Sequence, residues 1–217
     1  MAVAGVRPRI DAALLAAGSS SRMGAADKLL ACRDGRPMLA QAMDGLIKSA
    51  SFKAIWLVGR KPNDPFQSIL AGSLKGGADL PNYRYLYNAR ANTGMAASVQ
   101  CAIAALPASV DAILIALGDM PDIAPFTIRM LCRHFISHPD SGFIVPEYDG
   151  RRGNPVLISR RLFPLLEGLS GDRGARSLIK HDPDEVHRIA VGDKAVLCDI
   201  DTPDALQRWQ HHSAPAE

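Results

Sequence analysis

Paired cysteines, long apolar runs, charge of one sign and sequence repeats are all missing from this chain of 217 residues. The four cysteines, Cys32, Cys101, Cys132 and Cys198, stand far apart and form no CxxC pair, which argues against a zinc ribbon or a disulfide framework and leaves reduced thiols as the simpler reading. No apolar run approaches the roughly 20 residues that a bilayer span needs. The run Ile10 to Ala17 is short, contains Asp11 and ends in a glycine-serine loop, so it reads as a strand and not as the apolar core of a signal peptide. Lys and Arg (25) nearly balance Asp and Glu (22), and no long basic stretch is present. That balance argues against a nucleic-acid groove, whereas cations recurring near loops suit phosphate ligands. There is no Gly-Lys-Ser/Thr ending of a Walker A loop, no GxGxxG and no Gly-x-Ser-x-Gly elbow. These absences predict a soluble cytoplasmic protein with neither a membrane nor a nucleic acid as partner.

What is present is an ordinary globular composition, 47% hydrophobic and 22% charged, enough to bury a full core in one α/β domain. That domain is expected to span residues 1–217, with its core at about 10–209 and frayed ends. Apolar runs at Ile10 to Ala17, Phe52 to Gly59 and Ala112 to Leu117 have the continuous character of strands buried on both faces. Tyr83 to Tyr87 alternates as a strand should. Helical periodicity fills Pro37 to Ser49, Pro62 to Leu70, Met95 to Leu106 and Pro125 to Ser137. Strands alternating with helices predict βαβ units and a mostly parallel sheet. Beyond about residue 140, short strands are expected at Gly142 to Pro146, Pro155 to Ser159, Val186 to Val191 and Ala195 to Asp199, with antiparallel members among them. Ligands of such sheets gather at the carboxyl ends of the strands. Three strands run there into Ala16-Ala17-Gly18, Gly59-Arg60 and Gly118-Asp119.

The loop Gly18-Ser19-Ser20-Ser21-Arg22-Met23-Gly24 with Lys28 combines two glycines, hydroxyls and two cations directly after the first strand. Glycine lets backbone come close to a ligand, and Arg and Lys supply a bidentate fork and a point charge for phosphate oxygens. Asp119, on the turn Gly118-Asp119-Met120-Pro121, is placed to bind Mg²⁺, which takes one or two carboxylates with phosphate oxygens and water. Asp199 and Asp201 face the same way if their segment is extended, yet Asp201 or Thr202 before Pro203 is equally an ordinary helix start. His134 and His138 have metal-ligand spacing without a third ligand beside them, and a surface role is the simpler reading.

Read together, LAAGSSSRMG with Lys28, NTGMAAS (Asn92 to Ser98), GDMP, RGNPVL (Arg152 to Leu157), GDRGARSLI (Gly171 to Ile179) and DIDTPDAL (Asp199 to Leu206) resemble the nucleotidyltransferases that attach a nucleoside monophosphate to molybdopterin, in particular the molybdenum cofactor cytidylyltransferases of the MocA-like group. The likeness runs from about Ile10 to Trp209. It implies a three-layer α/β/α, Rossmann-like fold of the nucleotide-diphospho-sugar transferase type with a mixed, mainly parallel sheet. It implies that Leu15, Ala16, Ala17, Gly18 and Ser19, with Gly118, meet the nucleotide, that Arg22 and Lys28 take its triphosphate, and that Asn92, Gly94 and Ser98 line the nucleoside. Asp119 and Asp201 would hold Mg²⁺, or Mn²⁺ in its place, with Arg22, Lys28 and Asp119 catalytic. Gly153, Asn154, Pro155, Asp172 and Arg176 would border the acceptor. The implied substrates are CTP and molybdopterin cofactor, and the implied partner is a molybdoenzyme of the xanthine dehydrogenase type or its maturation chaperone. Ala17 in LAAG is similar to cytidylyl-transferring members, whereas guanylyl-transferring relatives usually have LAGG. The Gly24 to Lys28 spacing looks like the guanylyl group, and Asn154 stands where cytidylyl members often carry histidine. GTP as donor, a sugar or alditol phosphate as acceptor, and a non-catalytic cofactor-binding chaperone therefore stand beside the main reading.

Overall fold

The computed structural model describes residues 7–18, 27–62, 64–68, 82–171 and 183–211. In chain order its elements are β1 (Ile10–Leu15), the hairpin β2 (Cys32–Arg33) and β3 (Arg36–Pro37), α1 (Met38–Lys48), β4 (Ala54–Gly59), β5 (Asn82–Tyr87), α2 (Met95–Ala105), β6 (Ala112–Leu117), α3 (Pro125–Ser137), β7 (Phe143–Tyr148), β8 (Arg151–Arg152), β9 (Val156–Ser159), α4 (Phe163–Glu167), β10 (Val186–Ala190) and α5 (Pro203–His211). Of the helix expected at Pro62 to Leu70, residues 65–68 are helical, and its end lies outside the described residues.

One sheet carries the fold, in the order β10-β7-β9-β6-β1-β4-β5, with β8 appended to β7. β6, β1, β4 and β5 run parallel to one another, and β9 is antiparallel to both β6 and β7. The sheet is thus mixed and mainly parallel, as expected. Strand pleating sends successive side chains to opposite faces, and the sequence uses both. Ala12, Leu14 and Leu114 join Leu39 and Met43 of α1, Leu131 and Phe135 of α3 and Trp209 of α5 in one buried cluster. Ala13, Leu15 and Ile113 join Val99 and Ala102 of α2 and Leu166 of α4 in the other. That double burial explains why β1 and β6 read as continuous apolar runs, and it makes three layers, helices on both faces of the sheet.

Two buried charges are held by partners remote in sequence. The Arg9 guanidinium donates to both Asp11 carboxylate oxygens at 3.2 Å, and Trp56 Nε1 donates to Oδ2 at 3.1 Å. Arg33 pairs with Asp122 at 2.6 Å and lies 4.6 Å over the Trp209 ring, which seats α5 against the β2–β3 hairpin. All four cysteines are free, as the sequence predicts. Among the described residues no helix is long and apolar enough to cross a membrane.

The strand expected at Ala195 to Asp199 is instead a 3₁₀ turn over Lys194–Leu197. The cause is Asp193. Its carboxylate accepts from Ala195 N at 3.0 Å, capping the turn, and from Ala124 N and Thr127 Oγ1 at 2.9 and 2.8 Å, which fixes it to the start of α3. A side chain that satisfies orphan N–H groups at two helical starts outweighs the β preference of a short apolar run.

His134, on the last turn of α3, and His138, the residue that follows the helix, are joined by a third imidazole, His187 of the edge strand β10. The His134 and His138 rings stack at 4.5 Å, and His134 Nε2 lies 3.3 Å from His187 Nδ1. Burial, with the neighbouring His138 and His187, holds His134 below the ordinary histidine value. The unfolded chain therefore takes up this proton at higher pH than the folded chain, and acidification favours unfolding. The site's contribution is intact above the unfolded value of about 6.5 and is lost as pH falls through the lower folded value. A melting temperature that declines from pH 7.5 to 5.5, with a shallower decline in His134→Gln, is the expected result. An identical slope in both proteins contradicts it.

Candidate active site

β1 and β6 are neighbours, in register from Ile10 with Ala112 to Leu15 with Leu117, so the loops leaving their carboxyl ends are side by side. Gly118 N donates to Leu15 O at 3.0 Å. A Cβ on Gly118 would lie 3.1 Å from that same oxygen and 3.0 Å from Leu39 Cδ1, so the close approach favours glycine. This turn lifts Asp119 over the end of β1.

Asp201 arrives from the far end of the chain. Ile200 N donates to Asp119 O at 3.1 Å, so the segment before α5 is hydrogen-bonded to the turn that carries Asp119. Thr202, not Asp201, caps α5, its Oγ1 accepting from Ala205 N at 3.2 Å. Asp201 is thereby left for other work. Lys28 opens a 3₁₀ turn (Lys28–Leu30) whose cap is Asp27, with Oδ1 accepting from Leu29 N at 3.2 Å. The Lys28 ammonium donates to Asp119 Oδ2 at 2.8 Å and to Asp201 Oδ1.

These three groups form a charged centre from segments 91 and 173 residues apart in sequence. Burial pulls the Lys28 ammonium down, but the two carboxylates outweigh it and hold it above the ordinary lysine value. Burial pushes Asp119 up, and Asp201 and Asp199 push the same way, so Lys28 offsets only part of the rise. Asp201 is more exposed, and its bond to Lys28 overcomes burial and keeps it below the usual carboxylate range. Asp119 Oδ1 is buried and has no hydrogen-bond partner. An orphaned hard oxygen beside a second carboxylate suits a divalent cation such as Mg²⁺ or Mn²⁺. Among the described residues no group of three or more His, Cys, Asp or Glu side chains could hold a metal. A metal here would need oxygens from a substrate, as Mg²⁺ beside triphosphates ordinarily does.

Next to this centre a cavity of about 400 Å³ is lined by Met120, Arg151, Arg152, Gly153, Asn154 and Asp199, with Val145, Val156, Val196 and Leu197 completing its wall. Gly153 and Asn154 are two of the residues that the sequence reading placed at an acceptor, and the Asn154–Pro155 peptide is cis. Arg151 and Arg152 sit on the short strand β8, opposite Tyr148 and Glu147 of β7.

Ala16 and Ala17 continue from β1, and Gly18 is exposed at its mouth. The Ala17 methyl, on which the choice of cytosine rests, is buried in the cluster beneath α2 with Val58 and Val99. Asn92 is exposed on the 3₁₀ turn before α2, and Gly94, at φ 112°, makes the junction between them. Ser98 is buried and accepts from Asn88 Nδ2 at 3.0 Å. Ser19, Arg22, Asp172 and Arg176 lie outside the described residues. One cation had no role assigned from sequence. Arg60, directly after β4, donates to Gly18 O at 3.3 Å and to Asp27 Oδ2 at 2.8 Å, bracketing the loop between them. Its signal was position, a charged residue following the closing glycine of a buried strand at the sheet edge that carries the site.

Nicotine blue oxidoreductase of Paenarthrobacter nicotinovorans is 28% identical to this chain over 209 residues, 93% of this chain and 96% of that protein. Molybdenum cofactor cytidylyltransferase of Escherichia coli strain K12 is 26% identical over 199 residues, 90% and 92% of the two chains. The crystal structure of Rv0371c from Mycobacterium tuberculosis H37Rv is similar with a TM-score of 0.76 at 25% identity, covering 96% of this chain and all (100%) of that one. The same mycobacterial protein has been solved in complex with manganese, with a TM-score of 0.72 at 24% identity over 94% of this chain and 100% of that one. Residues 12–187 match the MobA-like NTP transferase domain, and the chain belongs to that family of nucleotidyltransferases.

Proposed function

We propose that the protein transfers CMP from CTP to the terminal phosphate of molybdopterin cofactor and releases pyrophosphate. The observation that carries this reading is the pairing of Asp119 with Asp201 around Lys28, beside a cavity that two arginines border. The similarity to a molybdenum cofactor cytidylyltransferase supports the choice of nucleotide and acceptor.

Asp119 and Asp201 would hold Mg²⁺ or Mn²⁺, which supplies Lewis-acid neutralisation of the triphosphate. Every other requirement falls to the chain's own groups. An acceptor phosphate oxygen attacks the α-phosphorus in line, a new P–O bond forms, and the bond to the β-phosphate oxygen breaks with its electron pair leaving on pyrophosphate. A phosphate monoester is already anionic near neutral pH, so no general base has to take a proton. The barrier is the approach of one anion to another, and positioned cations lower it. Lys28 and Arg22 serve the triphosphate, and Arg60 braces the ends of their loop. Arg151 and Arg152 offer guanidinium forks to the acceptor's anionic end, with Gly153, Asn154 and Pro155 as the adjoining wall. The partner that receives the product is a molybdoenzyme of the xanthine dehydrogenase type or its maturation chaperone.

Purified protein given Mg²⁺, molybdopterin cofactor and each of ATP, CTP, GTP and UTP in turn is expected to release pyrophosphate with CTP. Release with GTP and not CTP overturns the base assignment. Absence of release with all four overturns the reaction.

A further inference from the structure

We infer that Lys28 is the resident cation of the carboxylate pair, and that a divalent metal enters by displacing its ammonium group toward the triphosphate, so that metal and nucleotide bind as one coupled event. This rests on the reading of Asp119 and Asp201 as metal-holding groups.

Two carboxylates brought together repel each other, and each must find compensation. The cation between them is Lys28, whose ammonium touches one oxygen of each and whose side chain is only 11% exposed. A divalent ion held by the same two carboxylates would stand close to the ammonium, and like-charge repulsion at that range sets the two cations against each other. Metal and ammonium therefore compete for Asp119 Oδ2 and Asp201 Oδ1. The competition is unequal in capacity. The ammonium leaves Asp119 Oδ1 buried and without a partner, whereas a metal can draw on a carboxylate through either oxygen or both.

The displacement asks little of the backbone. Lys28 carries its charge on a flexible four-carbon stem, while its main chain is held by the turn that Asp27 caps and by the Arg60 contact to Asp27. A swing of the side chain moves the ammonium and leaves the turn in place. Once displaced, the ammonium needs an anion, and the triphosphate is the anion the reaction brings. Nucleotide binding thus relieves the metal of its competitor, and linkage makes the effect reciprocal. Without substrate, Lys28 keeps the two carboxylates together and prevents their mutual repulsion from undocking the segment that carries Asp201.

The test is Mn²⁺ binding to the nucleotide-free protein, read as free Mn²⁺ by electron paramagnetic resonance. Lys28→Met keeps the length and removes the charge. It is expected to bind Mn²⁺ about tenfold tighter than the parent, or more, because removing a like charge at contact distance is worth at least that factor. Lys28→Arg keeps a cation and is expected to bind no tighter than the parent. If Lys28→Met is poorly stable without metal, its melting temperature should rise more with added Mn²⁺ than that of the parent. Mn²⁺ affinity that is unchanged or weaker in Lys28→Met, with no larger thermal shift, overturns the inference while leaving the metal site in place. Mn²⁺ affinity unchanged in Asp119→Asn removes the metal from this pair, and the underlying functional reading fails with it.

Discussion

Asp119→Ala is expected to lower turnover by at least about 10²-fold at saturating metal, the scale seen when a group that stabilises developing charge is removed. Asp119 lies on a turn fixed from both sides, by Gly118 N to Leu15 O and by Ile200 N to its own carbonyl oxygen. Both bonds are made by backbone and survive the substitution. The folded chain also loses a carboxylate whose charged form burial disfavours. Lys28 loses one carboxylate partner and keeps Asp201, so stability should change modestly while activity collapses, and measuring the melting temperature with kcat/KM separates this from simple unfolding. A variant that still supports full maturation of a molybdoenzyme contradicts catalysis and favours a chaperone that only carries the cofactor.

Gly153→Ala should act on the other half of the site and through packing. A Cβ at this position would stand 2.3 Å from Val196 O and 2.8 Å from Val196 C, main-chain atoms that cannot rotate away. The neighbouring bond from Asn154 N to Val196 O, 2.9 Å, would be stretched as the two segments separate. Overpacking of this kind costs about 1–3 kcal/mol, which for a domain of this size lowers the melting temperature by about 2–4 °C per kcal/mol. Since Gly153, Asn154 and Val196 all line the cavity, KM for the acceptor should rise while KM for the triphosphate changes little. A thermal shift without a change in acceptor KM argues that the cavity is not the acceptor site.

The sheet was legible in the sequence because burial on two faces leaves a mark that needs no long-range knowledge. Ala12 and Leu14 serve one cluster and Ala13 and Leu15 the other, and the outcome is an unbroken apolar run. The expected helix over Pro125 to Ser137 coincides with α3 for the same kind of reason, a proline at its first turn and an apolar face beneath it. Asp119 and Asp201 were legible as carboxylates at element ends, and the structure brings them to one ammonium. What escaped depends on partners remote in sequence. Asp193 fixes a 3₁₀ turn through donors 66 and 69 residues away, and nothing local distinguishes it from a strand-flanking aspartate. His187 gives no hint that it meets His134, 53 residues earlier. The Ala17 methyl shows the reverse limit. A family likeness reads it as a base-selecting group, whereas just beyond β1 it packs into the core with Val58 and Val99.

Among the described residues every strand of the sheet is complete by Ala190, yet the carboxylate that closes the charged centre stands at Asp201. The scaffold and the chemistry are thus finished at different points along the chain. A polypeptide emerging from the ribosome therefore carries every described strand of its sheet before it carries the second carboxylate, and the Lys28 centre cannot close until Asp201, with Ile200 bonded to the Asp119 turn, has been made.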